Sequence, residues 1–153
     1  MIRKPSEIDI ASSLDRRSIV TITVRPIDFG DDSRPFVDVL WNIYKDDQSW
    51  IPTLHSLQLD QIKPDYNPFL RYGQAQLFLA EKHGQPIGRI SAHINPRHDS
   101  YHNERGGFFG FFECINDQNA TDALVEAART WLRSRDAHWI RGPISFTINQ
   151  ESG

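Results

Sequence analysis

The most apolar segment of the chain ends in two residues with reactive side chains. In GGFFGFFECIND, residues 106 to 117, four phenylalanines lead into Glu113 and then into Cys114, the only cysteine of the 153 residues. If this segment is a buried strand, Phe109 and Phe111 shield the Glu113 carboxylate on its own face, and such a group can take a proton from an amine directly or through water. Glu113 is therefore the candidate general base, and a solvated strand end without chemistry is the alternative.

Cys114 is a weaker candidate for chemistry than its neighbour. A lone cysteine is most often a small buried hydrophobic residue, so a nucleophilic role is the less favoured interpretation. One cysteine also excludes an intrachain disulfide and a four-cysteine zinc site. Because disulfides mark oxidising compartments, the cysteine content predicts a reducing, cytoplasmic location.

Histidines are concentrated in HINPRHDSYH, residues 93 to 102. His98 and His102 would share one face if this segment were helical, which is a spacing that metal sites use. Pro96 and the polar composition favour a solvated loop instead, so we predict no metal site. If the loop folds over a cleft, the residues able to contact a substrate are Arg97, His98, Tyr101 and His102.

Four further residues are candidates for substrate contact. Trp50 and Tyr72 lie in the proline-broken segment 46–74, where they could line a pocket, with core packing as the alternative. Asn149 and Glu151 belong to the final strand-like segment, and polar residues at the centre of a sheet need hydrogen-bond partners. We expect these two in a hydrogen-bonded cluster near a cleft, either structural or functional.

The charge and hydropathy of the chain argue against two classes of partner. The formal net charge of -3 and a pI near 6.0 give no general attraction to nucleic-acid phosphates or anionic lipid. No segment approaches the roughly 18 consecutive apolar residues of a membrane span. We expect neither a nucleic acid nor a membrane as partner, and we interpret the polar residues 1–17 as a flexible lead-in.

The residue patterns predict one domain in which strands and helices alternate. The clearest feature is a hairpin of two strands, 75–82 and 86–94, joined across residues 83–85. The other predicted elements are a strand over 18–26, a helix over 34–45, one short helix within 46–74, a loop over 95–106, a strand over 108–113, a helix capped by Asn119 or Thr121, and a last strand over 139–146, parallel to strand 108–113.

This element order and several local sequences resemble bacterial proteins of the GNAT (N-acetyltransferase) superfamily. The sequences are YKDDQSWIP, NPFLRYGQAQLFLAEKHGQPIGRISAHIN, GGFFGFFEC and RGPISFTINQESG, and the resemblance covers roughly residues 20 to 153. It implies an α/β (α+β), GNAT-like acyl-CoA N-acyltransferase fold, with a mixed central sheet and helices on both faces. Because GNAT sheets have two more strands, the resemblance implies that domain 18–153 is incomplete at its C-terminus. A missing C-terminal segment or a second copy in a homodimer would complete the sheet.

The resemblance also implies a location for the reaction. In GNAT enzymes the acyl-CoA thioester lies between the fourth and fifth strands, here Phe108–Glu113 and Trp139–Phe146, which places Glu113 at the cleft. Loop 114–121 would then lie near the CoA phosphates, and the implied cofactor-binding residues are Cys114, Ile115, Asn119, Ala120 and Thr121.

This loop departs from the GNAT pattern. GNAT loops carry Arg/Gln-x-x-Gly-x-Gly/Ala, whereas CINDQNATDAL contains no glycine. Asp117 and Asp122 put negative charge where an anion would bind. We expect the backbone amides of residues 119–121 to be available, so that CoA binding is weakened without being excluded.

The function implied by the resemblance is transfer of an acetyl or other acyl group from acetyl-CoA or a related donor to a small-molecule amine. Two alternatives remain open at the level of sequence. One is a catalytically inactive GNAT-fold module that binds a ligand or partner, and the other is an inactive fragment.

Overall fold

A computed structural model describes residues 21–30 and 33–147 of the chain. Its helices and strands follow the predicted order, with one extra short helix between the third and fourth strands. The elements are β1 Ile22–Ile27, α1 Arg34–Tyr44, α2 His55–Gln61, a 3-10 helix Pro68–Arg71, β2 Gln74–Lys82, β3 Gln85–Ile94, α3 Pro96–His102, β4 Gly106–Cys114, α4 Gln118–Arg133 and β5 Trp139–Arg141.

The five strands form one mixed sheet in the order β1-β2-β3-β4-β5. Strands β1 to β4 pair antiparallel, and β5 pairs parallel to β4 because the long helix α4 returns the chain to the same end of the sheet. The β2–β3 hairpin turns at His83 and Gly84, which both have positive φ, at 53° and 73°. Such a two-residue turn matches the twist of antiparallel strands, so the predicted hairpin is confirmed.

Each face of the sheet carries its own apolar core. On β2, Leu77 and Leu79 belong to the core beneath α1, whereas Phe78 and Ala80 belong to the core beneath α4. This alternation follows from the two-residue period of a strand. The predicted arrangement of helices on both faces is therefore confirmed, and we call the two sides the α1 face and the α4 face.

Segment 95–106 was predicted as a loop, and that prediction is wrong. Residues Pro96–His102 form α3, whose start is fixed by the Asn95 side chain accepting hydrogen bonds from the amides of Arg97 and His98. Asn103 ends the helix in the left-handed conformation. The N-cap and the C-cap outweigh the polar composition, since proline is well tolerated in a first helical turn.

The phenylalanines of β4 do not alternate regularly between the two faces. Phe111 has φ 48°, and the register between β3 and β4 shifts at this point, which is the geometry of a β-bulge. As a result Phe109 packs in the α4-face core and Phe111 in the α1-face core. The expectation that both shield Glu113 on one face is therefore wrong for Phe109.

The last strand is much shorter than predicted. β5 ends at Arg141, and the chain then bends through the cis Gly142–Pro143 peptide bond, so that Phe146 is buried in the α1-face core. Parallel pairing with β4 is confirmed for Gly106 with Trp139 through Phe108 with Arg141.

Some predictions concern residues outside the described ranges. The lead-in 1–17 and the substrate candidates Asn149 and Glu151 fall there. Within the ranges that are described, no helix has both the length and the apolar character needed to cross a bilayer.

Candidate active site

Glu113 and Tyr44 meet on the α1 face near the end of β4. Tyr44 is the last residue of α1, and its hydroxyl donates a hydrogen bond to the Glu113 carboxylate. Burial, together with this hydrogen bond and the charge of Glu113, raises the pKa of Tyr44 to about 12. The phenol therefore keeps its proton at neutral pH and acts as a donor that holds the carboxylate in place.

Arg89 lies opposite Glu113 across the β3–β4 pair. Residues directly opposite in an antiparallel ladder share a face, and the Arg89 side chain is only 4% exposed. Its guanidinium lies over the rings of Phe36 and Phe111, at 5.1 and 5.6 Å from their centroids, and donates to the Phe36 carbonyl at 3.2 Å. The Arg89 guanidinium is thus a buried cation on the face of the sheet that carries Glu113.

Trp50 is brought to the same place by stacking on Tyr44. The two ring centroids are 5.1 Å apart with planes inclined by 25°, and Trp41 packs edge-on against Trp50 at 5.5 Å. Tyr44, Trp50 and Trp41 therefore pack in series, and we call them the aromatic wall, of which Tyr44 contacts the carboxylate. Aromatic faces attract cations, so the wall and Glu113 together suit an ammonium group.

The regular pairing of β4 and β5 stops before it reaches Glu113. The ladder ends at Phe108 and Arg141, and the chain after β5 then keeps irregular contact with β4, where the amide of Ile144 donates to the carbonyl of Phe109 at 2.7 Å. Phe111 donates to the Ser145 hydroxyl at 3.4 Å. Among the described residues, Glu113 thus lies two positions beyond Phe111, the last residue of β4 with a hydrogen bond to the chain after β5.

Cys114 and Ile115 do not join this arrangement. Cys114 faces the α4 core, where its sulfur lies near Gly88 and helix α4, and burial raises the pKa of its thiol. Ile115 uses its amide to bond the Ile87 carbonyl at 3.0 Å. Glu113 and Cys114 therefore point to opposite faces of the sheet, and the thiol is poorly suited to act as a nucleophile.

The amides at the start of α4 are not available to an anion in this structure. Asp117, rather than Asn119 or Thr121, is the N-cap, and its carboxylate accepts from the amides of Asn119 at 3.0 Å and Ala120 at 3.4 Å. The Thr121 amide bonds the Asp117 carbonyl at 3.1 Å. The expectation of available amides at residues 119–121 is therefore wrong, because the N-cap was assigned too late in the sequence.

A lysine from another strand reinforces this cap. Lys82, at the end of β2, places its ammonium 3.0 Å from the second Asp117 carboxylate oxygen. Together with the helix amides, Lys82 holds the pKa of Asp117 below its usual range. The N-terminus of α4 is thus closed by a charged pair contributed by the protein itself.

Tyr72 lies at the other end of the sheet from Glu113. It lines a pocket of about 270 Å³ with Phe108 and Phe146, near the start of β4. Five residues of extended strand, roughly 17 Å, separate Phe108 from Glu113. Trp50 and Tyr72, predicted as partners in substrate contact, therefore lie at two different places.

The predicted histidine pair does share a face, with ring centroids of His98 and His102 4.4 Å apart. His93 is apart from them, fully buried among aromatic rings. Within residues 21–30 and 33–147, no three His, Cys, Asp or Glu side chains come together to hold a metal ion.

Sequence reasoning missed Tyr44 and Arg89. Tyr44 lies in the predicted helix 34–45, and nothing local distinguishes a core tyrosine from one that meets a carboxylate 69 positions away. Arg89 carried a clearer sign, since a charged residue inside the apolar strand GRISAHI needs a buried partner.

Comparison with known proteins gives two sequence relatives. The chain is 37% identical over 122 residues to the protein YghO of Escherichia coli, covering 80% of this chain and 31% of YghO. It is 32% identical over 133 residues to a bacterial ceramide synthase of Caulobacter vibrioides, covering 86% of this chain and 35% of that enzyme. The chain thus spans about a third of the length of these curated relatives. No protein-family model matches it.

Solved structures of acetyltransferases share the fold. A ribosomal-protein-alanine N-acetyltransferase from Brucella melitensis superposes with a TM-score of 0.54 at 13% identity, covering 78% of each chain. An aminoglycoside acetyltransferase from a soil metagenome, in complex with sisomicin, gives 0.51 at 10% identity, covering 78% of this chain and 75% of that one. The chain has a GNAT-like fold, as its sequence predicted.

Proposed function

We propose that this chain is a GNAT-like N-acyltransferase domain in which Glu113 removes a proton from an amine acceptor. The observation that carries the proposal is the Tyr44–Glu113 hydrogen bond, which lies beyond the end of the regular β4–β5 ladder. The fold supports acyl transfer as the class of reaction, and the pair supplies a positioned carboxylate for it.

The chemistry requires an acceptor that loses a proton. An ammonium group has no lone pair for attack on an acyl carbon, so it is deprotonated before or during transfer. Glu113 draws the cation to the site together with the faces of Tyr44 and Trp50, and its carboxylate accepts the proton. Tyr44 keeps that carboxylate oriented through its hydrogen bond.

Acyl-CoA is the donor that the fold implies, and in such a fold the start of α4 is where its pyrophosphate would bind. The residues there do not fit it in this structure, because the Asp117 carboxylate already occupies the Asn119 and Ala120 amides. An anion there would have to displace a group of its own sign, which Lys82 holds in place. We therefore assign no step to residues 114–121.

The sequence relative named a ceramide synthase supports a class of acceptor. A ceramide is an amide formed on a long-chain amino alcohol, so the matching reaction is N-acylation of an amine that carries an apolar tail. We propose such an amine as the acceptor of this chain. The aromatic wall of Trp41, Trp50 and Tyr44 would lie next to the reacting nitrogen.

Calorimetric titration with acetyl-CoA and with palmitoyl-CoA tests the proposal at the donor step. Saturable heat, with a rise in melting temperature that follows ligand concentration, is the expected result. Mass spectrometry of a reaction with sphinganine should then show the amide. Absence of both binding and amide at millimolar donor would refute the proposal.

A second function is favoured by one observation. The closed N-terminus of α4 is what an inactive GNAT-fold module would be expected to have, because nothing there needs to admit a pyrophosphate. Under that alternative, a separate calorimetric titration with sphinganine would show binding, and the titrations with the two CoA esters would show none.

A further inference from the structure

Three large aliphatic side chains are exposed in the loop after α1 and the first turn of α2, next in sequence to the candidate active site. Ile51 is 89% exposed, Leu54 69% and Leu57 51%. All three lie within seven residues of the chain, directly after Trp50, which stacks on Tyr44. Single exposed apolar residues are ordinary, but a cluster of them commonly marks a surface that binds something.

The local structure is not what stability alone would select. Leu54 occupies the N-cap position of α2, and no side chain there accepts a hydrogen bond from the helix amides. Serine, threonine, aspartate and asparagine stabilise helices at that position and leucine does not. Departures of this kind concentrate at positions that serve a function rather than the fold.

From this cluster we infer that Ile51, Leu54 and Leu57 insert into the surface of a lipid bilayer and bring Glu113 to acceptors held there. The inference rests on the proposed acceptor, because an amine with a long apolar tail resides in a membrane rather than in water. Trp50 reinforces the assignment, since tryptophan favours the boundary between lipid and water. A loop that enters the bilayer differs from a membrane span, so it does not require a spanning helix, and residues 21–30 and 33–147 contain none.

The charges near the loop determine which bilayer is suitable. Lys45 is outnumbered by Asp46 and Asp47, and the whole chain carries a net charge of -3. There is no basic cluster in this loop to attract anionic lipid, so binding depends on apolar insertion. Zwitterionic phosphatidylcholine is therefore the appropriate probe, and added salt should have little effect.

Flotation of the full chain with phosphatidylcholine vesicles tests the inference without any turnover. We expect the chain to rise with the vesicles at both low and high salt. The double variant Ile51→Ser/Leu54→Ser should lose vesicle affinity by about tenfold for each side chain removed. Tyr101→Ser is the matched control, because Tyr101 is 85% exposed on α3, and it should float like the unchanged chain.

The outcomes separate this inference from the proposed function. Transfer to a short, water-soluble amine should be equal in the double variant and the unchanged chain, because Ile51 and Leu54 take no part in the chemistry. Circular dichroism and a melting curve establish that the variant is folded. A chain that stays in the aqueous layer, a double variant that floats as well as the unchanged chain, or flotation that salt abolishes would each overturn the inference. So would a dimer in sedimentation that the double variant converts to monomer, since the surface would then belong to a second copy.

Discussion

The hydroxyl of Tyr44 at the end of α1 bonds the carboxylate of Glu113 near the end of β4, across 69 positions of sequence. The bond joins the helix layer to the central sheet on the α1 face. It also places an aromatic ring, itself covered by Trp50, against the only carboxylate that β4 carries. The fold thereby fixes one acid in a defined position next to a surface suited to cations.

Tyr44→Phe should alter stability at alkaline pH. Burial first, and the bond to Glu113 second, raise the pKa of Tyr44 from 10 to about 12. A group whose pKa is raised by folding contributes stability fully below its unfolded pKa, and that contribution disappears as pH rises from about 10 to about 12. Urea denaturation of the unchanged chain should show a fall in the free energy of unfolding across this pH range, and Tyr44→Phe should lack that fall. Tyr101→Phe, at an exposed position, should keep the fall, and equal curves for all three proteins would contradict the assignment.

Removal of His93 should alter stability at acid pH. Its ring is buried among Phe69, Phe108 and Phe146, and burial lowers the pKa of His93 from 6.5 to about 3. The Phe146 backbone only partly offsets this, and neither ring nitrogen reaches hydrogen-bond geometry with a described residue.

The sign follows from proton binding. Between about pH 6.5 and pH 3 the unfolded chain takes up a proton at this histidine that the folded chain excludes, so stability falls as pH falls. His93→Leu should have a smaller loss of unfolding free energy between pH 7 and pH 4, measured by urea denaturation. His83→Asn, in the β2–β3 turn, should behave like the unchanged chain. A His93→Leu protein with an unchanged acid slope would show that the loss has another origin.

Asp117→Ser should strengthen binding of CoA esters. Serine is also a good N-cap, so the substitution keeps the start of α4 while it removes the negative charge and releases Lys82. The substitution removes one negative charge next to the pyrophosphate and leaves Lys82 available to bind it. The dissociation constant should fall by about tenfold, which corresponds to about 1.4 kcal/mol. Asp122→Ser, four positions into the helix, is the control for net charge. Calorimetry with acetyl-CoA measures both, and equal affinities would remove Asp117 as an obstacle to the cofactor.

Much of the architecture was predictable because it depends on local patterns. The α4 helix follows from apolar residues at helical spacing, and the β2–β3 hairpin from two alternating runs around His83 and Gly84. Parallel pairing of β4 and β5 follows from the crossover that a helix of this length makes.

The details that define the site depend on contacts that sequence spacing does not contain. The bulge at Phe111 moves Phe109 to the opposite face. Gly110 beside it is a general sign of a bulge, but it does not tell which residue changes face. The Tyr44–Glu113 bond requires α1 to be placed on the sheet before the two side chains can meet. The α3 helix was missed for a different reason, because Asn95 before Pro96 is a recognisable cap that was outweighed by polar composition.

The comparison of Glu113→Gln with the unchanged chain tests the central claim most directly. Glutamine keeps the shape of the side chain and can still accept the Tyr44 hydrogen bond, but it cannot take a proton. With palmitoyl-CoA and sphinganine as substrates, amide formation followed by mass spectrometry should fall by about 10² to 10⁴ fold, while calorimetric binding of the donor stays nearly the same. An unchanged rate of amide formation in Glu113→Gln would contradict the role assigned to Glu113.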